Sequence, residues 1–260
     1  MSSSLQTLIR DLHRRRGRER RGLALAEGVR LVEEAIAGGI AIRGAAVSPA
    51  LESTTRGKTL KASLAERSIR TEDVGDTELE ALADTEHPQG VVAIIEPKRW
   101  TLNDIRLTPG STLLALDGVQ DPGNVGTMLR TALGLGAAGV VALKGTADLT
   151  NPKVIRSAMG ASFRMPAVAA TPEEFLAWAR LQRSEIWVAD VSGETPESLL
   201  RERDVRPPVA LVLGNEGAGV SQTLDEAADS RVAIPLSGAV ESLNVAVAAG
   251  ILLYELSRGY

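Results

Sequence analysis

Cysteine is missing altogether from this 260-residue chain, and histidine occurs only twice. Without thiols there is neither a disulfide framework nor a thiolate metal site, and two histidines leave too few ligands for structural zinc or haem. An intracellular protein that uses no metal is expected. Long hydrophobic runs are scarce too: the longest, near 245–253, is too short to span a bilayer, and the N-terminal Met-Ser-Ser-Ser-Leu-Gln-Thr-Leu-Ile-Arg lacks the apolar core of a signal peptide. The expected location is therefore the cytoplasm, with no membrane partner. Repeats and low-complexity tracts are also absent.

Apolar residues make up 44% of the chain, enough for one large or two modest domains with real cores, and two are expected. The formal net charge of −4 argues against a polyanionic partner, but its distribution argues for one. Residues 1–30 carry eight arginines against three acids, and Arg14, Arg15, Arg16, Arg18, Arg20 and Arg21 are packed into one short stretch. A basic arm on an acidic body is what a nucleic-acid-binding protein would show, the plainer alternative being a solvated helix face or a frayed terminus.

Hydrophobic periodicity predicts helix over 3–21, strand over 23–26 and helix over 27–37. It then predicts strand over 40–47, helices near 58–67 and 76–83, and strand over 91–95. This is a small α/β sandwich, assigned residues 1–97, with a linker at 98–109. From 110 to 260 the strands become longer and more apolar, at 112–116, 140–143, 186–189, 209–213 and 231–234. Helices near 125–135, 152–161, 172–183 and 243–257 fall between most of them. Such strands predict a mostly parallel sheet covered on both faces.

Three loops of this second half carry the chemistry. The first, Asp117-Gly118-Val119-Gln120-Asp121-Pro122-Gly123-Asn124, enters a helix for which Asn124 is the expected N-cap, with Gly126, Arg130 and Gly134 sharing one face. A lone arginine there is more often a surface ion pair than a functional group. The second, Gly214-Asn215-Glu216-Gly217-Ala218-Gly219, follows a strand where open α/β sheets bind ligands, although a plain tight turn accounts for it equally well. Its glycine spacing is G-x-x-G-x-G, and Ile234-Pro235-Leu236 stands where a dinucleotide fold needs a ribose-binding acid, so that reading is rejected. The third, 235–244, runs into an almost wholly apolar helix: Ser242 occupies the expected N-cap position and Asn244 falls inside the first turn, unless Asn244 is itself a cap. Together the loops offer backbone amides with arginine, asparagine, glutamate and serine side chains, without a catalytic His or Cys. That set suits orienting an already activated substrate better than hydrolysis.

Asn124-Val125-Gly126 with Arg130, then Gly214–Gly219, then Ile234-Pro235-Leu236 through Glu241-Ser242-Leu243-Asn244-Val245 resemble the three signature motifs of the SpoU/TrmH-type RNA ribose 2'-O-methyltransferases of the SPOUT superfamily. The likeness covers 110–260. Residues 1–97 resemble the substrate-binding domain many of these enzymes carry in front, on Glu27-Gly28 and Pro88-Gln89-Gly90. The resemblance implies a trefoil knot, a homodimer with active sites near the subunit interface, and S-adenosylmethionine as cofactor. It implies a cofactor pocket of Leu213, Gly214, Ile234, Leu236 and Leu243, and a catalytic group of Asn124, Arg130, Glu216, Ser242 and Asn244. Ribosomal RNA is favoured over transfer RNA as substrate, because the front domain suggests a structured target. A guanidinium scarcely deprotonates, so a phosphate clamp suits Arg130 better than the role of general base. The competing reading is a non-enzymatic RNA-binding or ribosome-assembly factor on the same fold.

Overall fold

A computed structural model describes residues 4–201, 205–238 and 240–258. Ser3, the expected start of the first helix, lies outside them. The chain divides into two compact units, one of residues 1–99 with 150–163, the other of 100–149 with 164–260.

The first unit is built on strands β1 (Ala24–Glu27), β2 (Ala41–Val47), β3 (Thr71–Asp73) and β4 (Val91–Glu96), in the order β1-β4-β2-β3. Strand alternation puts Val91, Ala93 and Ile95 of β4 into one core and Val92 and Ile94 into another, so the sheet is buried on both faces. The expected single helix over 3–21 is two, Leu5–Leu12 and Arg15–Arg21. Ser4 caps the first, whose Leu5, Ile9 and Leu12 sit at helical spacing in the second core. The helices pack closely: a Cβ on Gly17 would lie 2.1 Å from the Asp11 carbonyl oxygen.

The segment 150–163, expected in the second domain, belongs to this first unit. Its helix Pro152–Ala158 lies against β1, and Ile155 and Phe163 are part of the first unit's core. Lys98 donates to the Phe163 carbonyl and Arg156 to Asp84. The chain therefore crosses between units at three places, where a single linker at 98–109 was expected.

The second unit holds β5 (Thr112–Asp117), β6 (Val140–Ala142), β7 (Ala167–Ala169), β8 (Glu185–Glu194), β9 (Val209–Gly214) and β10 (Ser230–Val232). All pair in parallel, in the order β10-β8-β9-β5-β6-β7. On one face Leu113, Ala115, Val141, Ile186, Val188, Ala210 and Val212 form a core with Phe175 and Trp178 of helix Pro172–Leu181. Helix Val245–Ser257 contacts β5, β9 and helix Pro122–Gly134.

Candidate active site

In a parallel sheet the loops leaving the carboxyl ends of the strands gather along one edge. β5, β9 and β10 bring the three polar loops there, and side chains at the ends of β5 and β9 fix the first two. Buried Asp117, the last residue of β5, accepts from the Ser221 amide at 2.6 Å. Asn215 donates to the Gly118 carbonyl at 2.8 Å, while its own carbonyl takes the Gly217 and Ala218 amides. Residues 215 and 219 exchange both backbone hydrogen bonds, closing the turn. Gly214 is required by that turn: a Cβ there would lie 2.1 Å from the Gly219 carbonyl carbon and 2.2 Å from the Val220 nitrogen.

The expected cap of the first helix is corrected, and at the last helix the alternative of Asn244 as cap holds in place of Ser242. Asp121, not Asn124, caps helix 122–134, accepting from the Asn124 amide at 2.8 Å with Pro122 in the first turn. Asn244, not Ser242, caps helix 245–257, taking the Ala246 and Val247 amides at 2.9 and 3.3 Å. The Asn124 side chain is thereby released. It donates to Glu216 at 3.0 Å and accepts from Asn244 at 3.2 Å, linking one residue of each loop in a chain Asn244–Asn124–Glu216. Partial burial pushes the Glu216 carboxyl up, and hydrogen bonds from Asn124 and neighbouring backbone amides outweigh it, so the group stays below the usual glutamate range.

Beside this chain lies a cavity of about 520 Å³. All five expected pocket residues, Leu213, Gly214, Ile234, Leu236 and Leu243, line it, and so do Glu216, Ser242 and Asn244. Asn124 stands one hydrogen bond behind the wall. Arg130 is exposed on helix 122–134, outside the lining, and forms no ion pair among the described residues. Asp117, Asn215 and the lining residue Asp190 escaped the reading of the sequence. An Asn opening a glycine turn was the available signal for Asn215, while Asp117 sat in the first loop without an assigned role.

The arginine run of the first unit separates into three kinds. Arg14, Arg15 and Arg16 are exposed, Arg15 donating to Glu19 at 2.7 Å. Arg20 and Arg21 are exposed but converge on Asp11, at 2.8 and 2.7 Å, and Arg21 first among them holds that carboxyl below its usual range. Arg18 overturns the expectation of an RNA contact: it is 4% exposed and donates to the Leu12 and His13 carbonyls and to Thr150. These bonds spend the guanidinium inside the fold.

Residues 111–254 match the SpoU rRNA methylase family, more than half of the chain. The chain belongs to this family. Residues 7–93 match an MRM3-like substrate-binding domain. Among curated SpoU relatives, a Bacillus subtilis 23S rRNA (guanosine(2553)-2'-O)-methyltransferase is 34% identical over 249 residues, covering 95% of this chain and 93% of its own length. A Coxiella burnetii 23S rRNA (guanosine-2'-O-)-methyltransferase is 40% identical, covering 70% of this chain and 74% of the relative. Of solved SpoU structures, the Streptomyces viridochromogenes methyltransferase AviRb with its cofactor AdoMet superposes with TM-score 0.84 at 30% identity, covering 99% of this chain and 98% of the other. The AdoMet-bound rRNA methyltransferase of Sinorhizobium meliloti gives 0.83 at 32%, with 98% and 95% covered.

Proposed function

We infer that this chain transfers a methyl group from S-adenosylmethionine to a ribose 2'-hydroxyl of RNA, and that the RNA is ribosomal. One observation carries the site assignment: the second and third motifs line a single cavity, and the Asn244–Asn124–Glu216 hydrogen bonds tie the first motif to its wall. The residues present suit the cofactor. The cavity falls inside the range of about 300–1,000 Å³ usual for small-molecule sites. Leu213, Ile234, Leu236, Leu243 and Leu252 give it apolar walls for a purine, while Glu216, Ser242 and Asn244 add polar groups.

When bound, S-adenosylmethionine supplies a methyl group already activated by its sulfonium. Methylation of a ribose 2'-hydroxyl would also release its proton, which Arg130 cannot accept and which would pass to solvent water. The protein's share is alignment and electrostatics. Ser242 and Asn244 position the reacting groups, and Glu216, kept ionised by Asn124, gives the site a fixed negative charge suited to a cationic donor. Arg130, exposed and uncommitted, clamps the phosphate next to the reacting ribose and stabilises the developing alkoxide. No group of three His, Asp or Glu able to hold a metal occurs among the described residues, and none is needed for this transfer.

RNA is held by the first unit, with the exposed Arg14, Arg15 and Arg16 among the cations that meet it. The working state is a homodimer in the cytoplasm. Val247, Ile251 and Tyr254 form an exposed apolar stripe on the last helix, and Leu133 is exposed on the helix beside it. A second copy covering that stripe would place its surface near Arg130. No helix among the described residues is long and apolar enough to cross a membrane.

The test is transfer of labelled methyl from S-adenosylmethionine to purified ribosomal and transfer RNA, with chelator present, followed by mapping of the modified ribose. Arg130→Ala and Arg130→Lys should both lose transfer while calorimetry shows cofactor binding intact. Failure of the parent protein to bind cofactor refutes the enzyme and leaves the RNA-binding factor. Near-normal turnover in either variant refutes the role of Arg130.

A further inference from the structure

Asp190 lines the cofactor cavity and has no part in the mechanism above. It lies on β8 two residues beyond the Val188–Val212 pairing, level with Gly214 on the neighbouring strand. One carboxylate oxygen, Oδ1, is held by Ser192, whose amide donates at 2.7 Å and whose hydroxyl donates at 2.5 Å. Oδ2 takes no hydrogen bond among the described residues. The neighbouring cation, Arg231, is turned to Asp225, which it grips through two nitrogens at 2.7–3.2 Å. The hydrogen bonds from Ser192 hold the Asp190 carboxyl below its usual range, so the group is ionised at neutral pH.

An oriented, ionised acceptor with one open oxygen, on a cavity that Leu213, Ile234, Leu236 and Leu243 also line, fits a ligand's hydroxyl pair. We propose that Asp190 binds the ribose diol of the cofactor's adenosine moiety and makes the pocket selective for a ribonucleoside. A carboxylate serves the same end in dinucleotide folds, where it follows the glycine loop by about twenty residues. Here it precedes the glycine loop and comes from the adjacent strand. The diol, not the charged amino-acid end of the cofactor, is assigned because Asp190 stands on β8 while the motif residues Glu216 and Asn244 mark the reacting end on the other loops.

The inference rests on the cofactor reading above, and the experiment separates the two. Calorimetry compares the full-length protein with Asp190→Ala and Asp190→Asn, using S-adenosylhomocysteine and 5'-methylthioadenosine, which keeps the ribose but lacks the amino acid. The unmodified protein binding neither compound overturns the cofactor reading itself. With binding established, Asp190→Ala should weaken both compounds by about tenfold to a hundredfold, the loss of hydrogen bonds to a charged acceptor. Asp190→Asn, which can still donate one hydrogen bond to a hydroxyl, should fall between. Loss for S-adenosylhomocysteine alone would assign Asp190 to the ammonium group and overturn the proposal. Unchanged affinity for both would leave Asp190 a turn residue of Ser192 and overturn it equally.

Discussion

Replacing Arg18 by alanine should unfold the first unit more readily and leave the salt dependence of RNA binding unchanged, the reverse of what a basic arm would show. Arg18 is 4% exposed, and its Nη1 donates to the Leu12 and His13 carbonyls at 3.1 and 2.9 Å while Nε donates to Thr150 at 3.2 Å. Leu12 itself is fully buried, so its carbonyl gains little water when the guanidinium goes. Hydrogen bonds to a charged donor contribute about 1.5–3 kcal/mol each and are not additive within one group. With three partners stranded and the side chain's volume emptied, a cost of about 3–5 kcal/mol is expected. Urea unfolding of the full chain, followed by circular dichroism, reads it as a fall in midpoint. The matched control is a triple Arg14/Arg15/Arg16→Gln variant, which should keep that midpoint and lower the log–log salt slope of RNA binding by roughly 0.7–0.9 for each phosphate left unneutralised. Deleting the segment cannot replace this test, because Leu5, Ile9 and Leu12 would leave the core with it. A stable Arg18→Ala protein with a reduced salt slope would refute the reasoning.

Three further outcomes concern the site. Asn124→Ala should lower kcat by more than about tenfold with a smaller change in cofactor affinity, since Asn124 fixes Glu216 without lining the cavity; Asn124→Asp should be worse, because it sets a second carboxylate about 3.0 Å from Glu216. Gly214→Val should abolish cofactor binding by forcing the 215–219 turn apart, and calorimetry beside a melting curve distinguishes this from global unfolding. Glu216 lies below its ordinary value of 4.5, so its ionised form contributes stability above that pH that is lost as pH falls through the folded value. Glu216→Gln should accordingly lower transfer by one constant factor from about pH 6 to about pH 9, and a variant that shifts the pH profile would contradict an ionised Glu216.

What was legible in the sequence follows from how local each signal is. β5 and β9 announce themselves as buried apolar runs ending in glycine loops, and both were placed within a residue or two. β3 and β7 are three residues each and lack such runs, so only their partners define them. β8 continues through Asp190-Val191-Ser192-Gly193-Glu194, which reads as a turn but is held by pairing of Glu194 with Val232. Asp190 was hidden there. The Asp121 cap has a local signal: Asp-Pro places the proline at the start of a helix and the aspartate as its cap. Arg18 was not readable from charge, since burial depends on Thr150 far along the chain, although a glycine at 17 amid arginines hinted at close packing.

The excursion of residues 150–163 bears on how such a protein can be taken apart. A fragment cut at the expected linker and carrying 110–260 would take Ile155 and Phe163 away from the core they complete, exposing both to water. The matching 1–97 fragment would lose the helix that lies on β1 and leave Arg18 without Thr150. Neither half is an independent module in the sense of one continuous stretch of chain. Grafting the front unit onto another enzyme of this family would require the donor's 150–163 segment to travel with it, as a second splice inside the catalytic half.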